Sequence, residues 1–207
     1  LDALGYCVGG TFLTLSLARN PGLAGRLALL AAPIDFHASE RLATWANPET
    51  FPVADLVDGL GNFPASLMKT SFQLLKPSTN LARWKSLWDN ADDPDFLALW
   101  AAMERWNGDA VDFPGAAYRE YVEQCYFANA PVHGGWIMNG RAVDLAAGTI
   151  PAIAFSASSD HICPPAAAFA LEGVWGGPVE AQSVRGGHVG VCLGRSFPTA
   201  LLEWLAR

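Results

Sequence analysis

No block of basic residues occurs anywhere in this chain of 207 residues, and acidic side chains outnumber basic ones to leave a net charge of −7. A groove that tracks phosphates needs clustered Lys and Arg, so nucleic-acid binding is excluded as a function class. No apolar run approaches the roughly 20 residues that a membrane-spanning helix requires, and the N-terminus has no basic segment followed by an apolar stretch and a cleavage site. No membrane span is expected, and nothing marks the chain for export. Cysteine is sparse, at four residues, which fits free thiols in a reducing cytoplasm better than a disulfide framework. Metal-ligand spacing is missing too. His161 with Cys163, and His188 with Cys192, match neither paired-cysteine nor helical histidine patterns, so no metal is expected. The acidic stretch Asp89 to Asp95 lacks the glycine and terminal glutamate of a calcium loop and reads as a solvated turn before a helix. Internal repeats and low-complexity linkers are absent.

What is present is a hydrophobic content of 51%, ample for a core, in a length that suits one domain or one domain with a lid. Gly5-Tyr6-Cys7-Val8-Gly9 lies between a short apolar strand, Leu1 to Tyr6, and a helix over Thr11 to Arg19. A cysteine there occupies the serine position of a G-x-S-x-G turn, where the side chain projects from a strained strand-to-helix connection. The flanking Gly5 and Gly9, with Gly10 after them, let strand and helix pack closely. Leu27 to Ile34 is an almost unbroken apolar run that reads as the next central strand. Pro151 to Phe155 is another, ended by Ser158-Ser159-Asp160, and Val179 to Val184 precedes Gly186-Gly187-His188. The order nucleophile, acid, histidine, each after a strand, is that of the α/β-hydrolase fold. It places Cys7, Asp160 and His188 at one edge of an open, mostly parallel sheet, where such sheets bind ligands.

Taken singly, each of these residues has a blander reading. A cysteine before glycine is usually a small buried hydrophobe, an Asp after a strand a cap, and Gly-Gly-His a loop. Their joint order favours a triad. In it, His188 deprotonates Cys7, Asp160 orients His188, and the Val8 backbone N–H supplies one oxyanion donor, with a second donor expected from a loop earlier in the fold. A thiol exchanges readily with a thioester, since the attacking and leaving groups are alike. Cys125, Cys163 and Cys192 read as buried or incidental, and His37 and His133 as surface or loop residues.

Between the two core segments, 1–36 and 132–207, residues 37–131 turn helical and tryptophan-rich, as a lid would. Asp93 before Pro94 is a good helix cap for Phe96 to Trp106, and Phe197 to Ala206 reads as a closing amphipathic helix. Trp45, Trp84, Trp88, Trp100 and Trp106 fall in the lid, where burial as the core of a helical subdomain is the favoured expectation. Exposure against an apolar granule or a partner is the alternative.

The motifs extend beyond the triad. GYCVGGT at Gly5 to Thr11, LALLAAPIDF at Leu27 to Phe36, WNGDAVDFPG at Trp106 to Gly115, GRAVDL at Gly140 to Leu145, SDHICP at Ser159 to Pro164 and the final GGHVG all stand in one order. In that order they resemble the catalytic domain of the polyhydroxyalkanoate synthases. The resemblance implies an acyltransferase that polymerises (R)-3-hydroxyacyl-CoA through a Cys7 acyl-enzyme with release of CoA. The CoA thioester is then substrate, and no cofactor is implied. Asp160 is implied to help activate the substrate 3-hydroxyl as well, and Asn107 and Asp109 to anchor the lid. The ending GGHVGVCLG with its short Leu/Trp helix is similar to synthases that use an accessory subunit. A cysteine-type esterase, thioesterase or intracellular depolymerase on the same scaffold is the alternative, and a non-catalytic granule-associated module is a third reading. The chain opens at Leu1 directly on the nucleophile strand, so a fragment lacking the upstream strands is expected, with a bare sheet edge that promotes homodimers. The setting implied is the cytoplasm, at the polyester granule surface.

Overall fold

The computed structural model describes the backbone of residues 1–207 and every side chain except those of Glu40 and Asn80. The chain begins with β1 (Asp2–Tyr6), α1 (Cys7–Arg19) and β2 (Arg26–Leu30). Six helices follow: α2 (Glu40–Trp45), α3 (Val53–Leu60), α4 (Ala65–Leu75), α5 (Pro77–Asp89), α6 (Pro94–Gly108) and α7 (Gly115–Tyr121). A wide helical turn, Val122–Phe127, leads to α8 (Ala130–His133) and a hairpin of β3 (Ile137–Met138) and β4 (Arg141–Ala142). The chain closes with β5 (Ala152–Ala157), α9 (Pro165–Phe169), α10 (Leu171–Val174), β6 (Val179–Val184) and α11 (Ser196–Leu205).

Four strands pair in parallel in the order β1-β2-β5-β6. The two central strands carry the most continuous apolar runs, RLALL and AIAFSA, because a strand covered on both faces has no polar side to alternate with. On one face, Ala28, Leu30, Ile153, Phe155 and Val184 pack against Phe197, Ala200 and Trp204 of α11. On the other, α1 packs along β1 and β2 and buries Thr11, Thr14, Leu15, Leu17 and Ala18. This is an α/β-hydrolase fold.

Local expectations are met with shifts that have physical causes. The apolar run at Leu27 to Ile34 stops being a strand at Leu30, because Ala31 turns left-handed at φ 47°. The residues after it stay buried, so hydrophobicity alone could not mark the stop. The first helix starts at Cys7 rather than Thr11, since the turn itself is its first residue. Asp93 caps α6 as expected, its carboxylate accepting from the Asp95 and Phe96 N–H groups at 3.0 and 3.1 Å.

The chain forms two compact units, one of residues Leu1–Phe51 with Val122–Arg207 and one of Pro52–Tyr121. In the second, Phe63 and Phe113 exchange both backbone hydrogen bonds at 2.9 Å, and Phe63 stacks on Tyr118 with centroids 4.0 Å apart. Within the WNGDAVDFPG block, Asp109 closes α6, its N–H donating to the Arg105 and Trp106 carbonyls at 3.0 and 3.3 Å. The Asp112 carboxylate accepts from the Ala65 N–H at 2.9 Å. Gly115 passes so near the chain that a Cβ would lie 1.8 Å from the Gly61 carbonyl oxygen, so only glycine fits.

The tryptophans overturn the favoured expectation. Trp45, Trp84, Trp88 and Trp106 are exposed, and Trp100 is half-buried. The reason is the packing of α5 and α6, which bury none of their described residues. An aromatic contact joins Trp84 to Trp100 at 5.5 Å, beside an Arg83–Glu104 ion pair of 2.7 Å. Two helices meeting along a single seam leave most of their circumference open.

Candidate active site

Cys7 sits at φ 52°, one of four described residues other than glycine with positive φ. That conformation strains an L-residue, and it is the turn by which a nucleophile is held clear of its strand. Two glycines make the turn possible. A Cβ on Gly5 would come within 2.5 Å of Gly10 Cα, and one on Gly10 within 2.5 Å of the Ala32 Cβ. The expected role of Gly9 therefore passes to Gly10, because Gly9 faces open space and its Cβ would meet nothing. Thr11 ties the helix down further, its hydroxyl donating to the Pro33 carbonyl at 2.6 Å. Tyr6 provides no side-chain cap to α1, so the first-turn N–H groups, Val8 among them, are left to an outside acceptor.

Asp160 and His188 come together because β5 and β6 are parallel neighbours and their exits remain paired beyond the strands. Ser158 N–H donates to the Val184 carbonyl and Ser159 N–H to the Gly186 carbonyl, both at 2.8 Å. Gly186, at φ 146° with a would-be Cβ only 3.0 Å from Val191 Cα, turns the chain back toward the sheet. One Asp160 oxygen accepts from the Ile162 and Cys163 N–H groups at 2.8 and 2.9 Å. The other lies 2.7 Å from His188 Nδ1. The Asp160 side chain is fully buried and that of His188 nearly so.

The electrostatics follow from these contacts. Burial opposes charge on His188, but the hydrogen bonds to Asp160 and to the Cys7 thiol outweigh it and raise its pKa to about 9. A charged imidazole beside sulfur is the partner that a thiolate nucleophile needs. Burial, and then the Asp160 charge, push the Cys163 thiol far up, which keeps this buried cysteine neutral. Burial also pushes the Cys192 thiol up, although its residue is exposed.

Of the six residues singled out from the sequence, Cys7, Asp160 and His188 are brought together, Val8 and Gly5 lie on the turn, and Gly9 takes no part in the packing. His161 is exposed, while His188 is buried on the Asp160 carboxylate. Sequence reasoning missed Tyr6, whose hydroxyl donates to the His188 carbonyl at 3.0 Å. It also missed Ser39, whose hydroxyl donates to the Ile162 carbonyl at 3.2 Å in the acid loop. Asn129 was missed as well. It is a buried left-handed residue that accepts from the Phe36 N–H at 3.0 Å and donates to Asp35 at 2.9 Å. Position inside the Gly-x-Cys-x-Gly motif was the one available signal for Tyr6; no local pattern marks the other two. Among the described residues, no group of three His, Cys, Asp or Glu side chains could hold a metal ion, and no helix is long and apolar enough to cross a membrane.

No family model matches the chain. It is 31% identical to the poly(3-hydroxyalkanoate) polymerase subunit PhaC of Allochromatium vinosum, over 99% of this chain and 59% of that protein. The proteins of the same name from Thiocystis violacea and Synechocystis are 29% and 28% identical, over 99% and 100% of this chain and 59% and 58% of theirs. The chain thus spans about three fifths of the length of these curated relatives. Solved structures agree on the fold. BpoC of Mycobacterium tuberculosis, named for a non-heme bromoperoxidase, superimposes with a TM-score of 0.54 at 17% identity, over 99% of this chain and 66% of that one. A metagenome-derived lipolytic enzyme does so with a TM-score of 0.51 at 14% identity, over 100% and 63%. By sequence the chain is similar to poly(3-hydroxyalkanoate) polymerases over nearly its whole length, and its fold is that of the α/β-hydrolases.

Proposed function

We propose that the chain carries the reacting centre of an acyltransferase that polymerises 3-hydroxyacyl-CoA, with Cys7 as nucleophile, His188 as base and acid, and Asp160 as the group that orients it. The observation that carries this reading is the 2.7 Å contact of the buried Asp160 carboxylate with His188 Nδ1, on a histidine whose pKa the Cys7 sulfur helps to raise, beside a cysteine held at positive φ. Cys7 sulfur attacks the thioester carbonyl, and the oxyanion that forms is met by the Val8 N–H at the start of α1. Collapse breaks the carbon–sulfur bond to CoA, and His188 returns its proton to the departing thiolate. The acyl-enzyme is then attacked by a 3-hydroxyl whose proton His188 accepts, and collapse breaks the bond between the acyl carbon and Cys7 sulfur, which releases the ester and returns the sulfur for the next round. Both Asp160 oxygens are occupied and its side chain is buried, so Asp160 acts on that hydroxyl through His188 rather than by touching it.

The chemistry names the substrate as a CoA thioester and the product as a polyester, with no cofactor. A homodimer, an accessory subunit and a granule-surface setting belong to the same proposal. The experiment is incubation of the full-length protein with 3-hydroxybutyryl-CoA, following CoA release and product together. Polymer with free CoA and no free hydroxy acid supports the reading. Stoichiometric free hydroxy acid instead assigns a cysteine-type hydrolase, the second reading that the lipolytic fold neighbour favours.

A further inference from the structure

Tyr6 precedes the nucleophile, and its backbone ends the strand that carries it. A side chain at that point is half-buried and touches two separate clusters. One is the core of β5, β6 and α11, which includes Val184 and Val191 on either side of the histidine loop. The other is Ala31, Cys163 and Ala167, behind the acid loop. Its ring lies 5.3 Å from the His188 ring at an interplanar angle of 34°, and its hydroxyl donates to the His188 main-chain carbonyl at 3.0 Å. The loop that it meets is rich in glycine. Gly186 and Gly187 precede His188, and Gly190 follows two residues later. A glycine-rich segment has more backbone freedom than its neighbours, so a hydrogen bond to its middle residue removes more conformers there than elsewhere. The contact is anchored to the nucleophile's own strand, so it sets the histidine loop relative to Cys7 directly.

We infer that Tyr6 is a positioning residue for the reaction, holding the His188 loop over Cys7 through the hydrogen bond from its hydroxyl to the His188 carbonyl and the face of its ring. It does not touch the reacting atoms; it acts through His188, and the inference rests on the reading of Cys7, Asp160 and His188 as the reacting set. Burial first of all, and then the neighbouring thiols, raise the phenol's pKa, so the hydroxyl remains a donor at any pH where the protein works.

The test uses iodoacetamide alkylation of the full-length protein, with the Cys7 peptide followed by mass spectrometry as pH is varied. Tyr6→Phe removes only the oxygen and keeps the ring, so the variant folds. It is expected to slow Cys7 alkylation at neutral pH about three- to tenfold, and to lower kcat by a similar factor while KM stays within about twofold. In a His188→Ala background the same change is expected to have no further effect, which is the signature of action through the imidazole. Alkylation of Tyr6→Phe at the unchanged rate and pH profile overturns the inference, and so does equal slowing with His188 absent, which would mark a merely structural contact. If His188→Ala itself alkylates like the unchanged protein, the triad reading fails and this inference fails with it. If Tyr6→Phe alone is silent, only the inference is lost.

Discussion

Trp136, Trp175 and Trp204 lie buried in the sheet-bearing unit, whereas Trp84, Trp88 and Trp106 stand exposed in the helical unit, Trp88 to 84%. The same residue type thus has two fates in one chain. In the first unit a parallel sheet offers a flat apolar face, and a helix laid on it encloses a large indole from several sides. Trp204 is held there with its ring N–H on Glu180 at 3.1 Å and the Arg26 guanidinium 5.5 Å from its ring. In the second unit, α5 and α6 have no sheet beneath them, and neither helix buries any of its described residues. Counting aromatics therefore says how much apolar surface a segment has, and only the layer beneath them says whether it is buried. The chemistry follows the same division. All three candidate reacting residues sit on the unit whose strands fix their exits, while the family-specific WNGDAVDFPG block serves as internal bracing in the other.

The sharpest way to separate the units is to remove the sulfur. Cys7→Ala is expected to lower CoA release from 3-hydroxybutyryl-CoA by at least about a thousandfold, without lowering the thermal midpoint, because it deletes one half-buried atom and relieves nothing else. A variant with full turnover sinks the assignment of the reaction to this unit.

A pair of tryptophan variants tests the packing contrast itself. Trp204→Ala should cost about 3–5 kcal/mol of stability in urea unfolding, the usual range for emptying a buried aromatic site, whereas Trp88→Ala should stay within about 0.5 kcal/mol. Comparable losses from both would mean that the exposed indole is covered in the folded protein after all.

The smallest effect is the pH dependence of the sheet-bearing unit. His188 has its pKa raised to about 9 in the fold, against an ordinary value of 6.5. The stabilisation linked to its proton is therefore complete below about pH 6.5 and is lost as pH rises through about 9, amounting to about 1–3 kcal/mol. Urea midpoints of the unchanged protein should fall between these limits, and those of Asp160→Asn should fall much less, since the largest contact favouring the proton is gone. A flat profile for the unchanged protein would remove the imidazolium from the picture.

Much of this was legible in the residue order. Each of the four sheet strands coincides with a segment read as a strand from the sequence, although β6 (VEAQSV) is no apolar run, and Asp160 and His188 could be named because each follows such a segment within a few residues. Asp93 before Pro94 marked a helix start that the structure keeps to the residue. Other features left no local trace. Asn129 and Ser39 act on loops far away in sequence, through the Phe36 N–H and the Ile162 carbonyl, main-chain groups that carry no residue-type signature. Gly9 and Gly10 could not be told apart at the turn because they are neighbours in sequence, and only the approach of Ala32 to Gly10 distinguishes them.

Sequence by itself determined the parallel sheet, the order of nucleophile, acid and histidine, and the motifs shared with the polymerases, because hydrophobic periodicity, turn chemistry and residue type are properties of short stretches of chain. Tertiary structure alone decided that the Asp160 carboxylate lies 2.7 Å from His188, that Tyr6 reaches across to that loop, that Gly10 rather than Gly9 packs against Ala32, and that Trp84, Trp88 and Trp106 of the helical unit stand exposed. Each of those depends on which distant segment arrives beside a residue. That is settled by how the layers stack, and no window along the chain contains it.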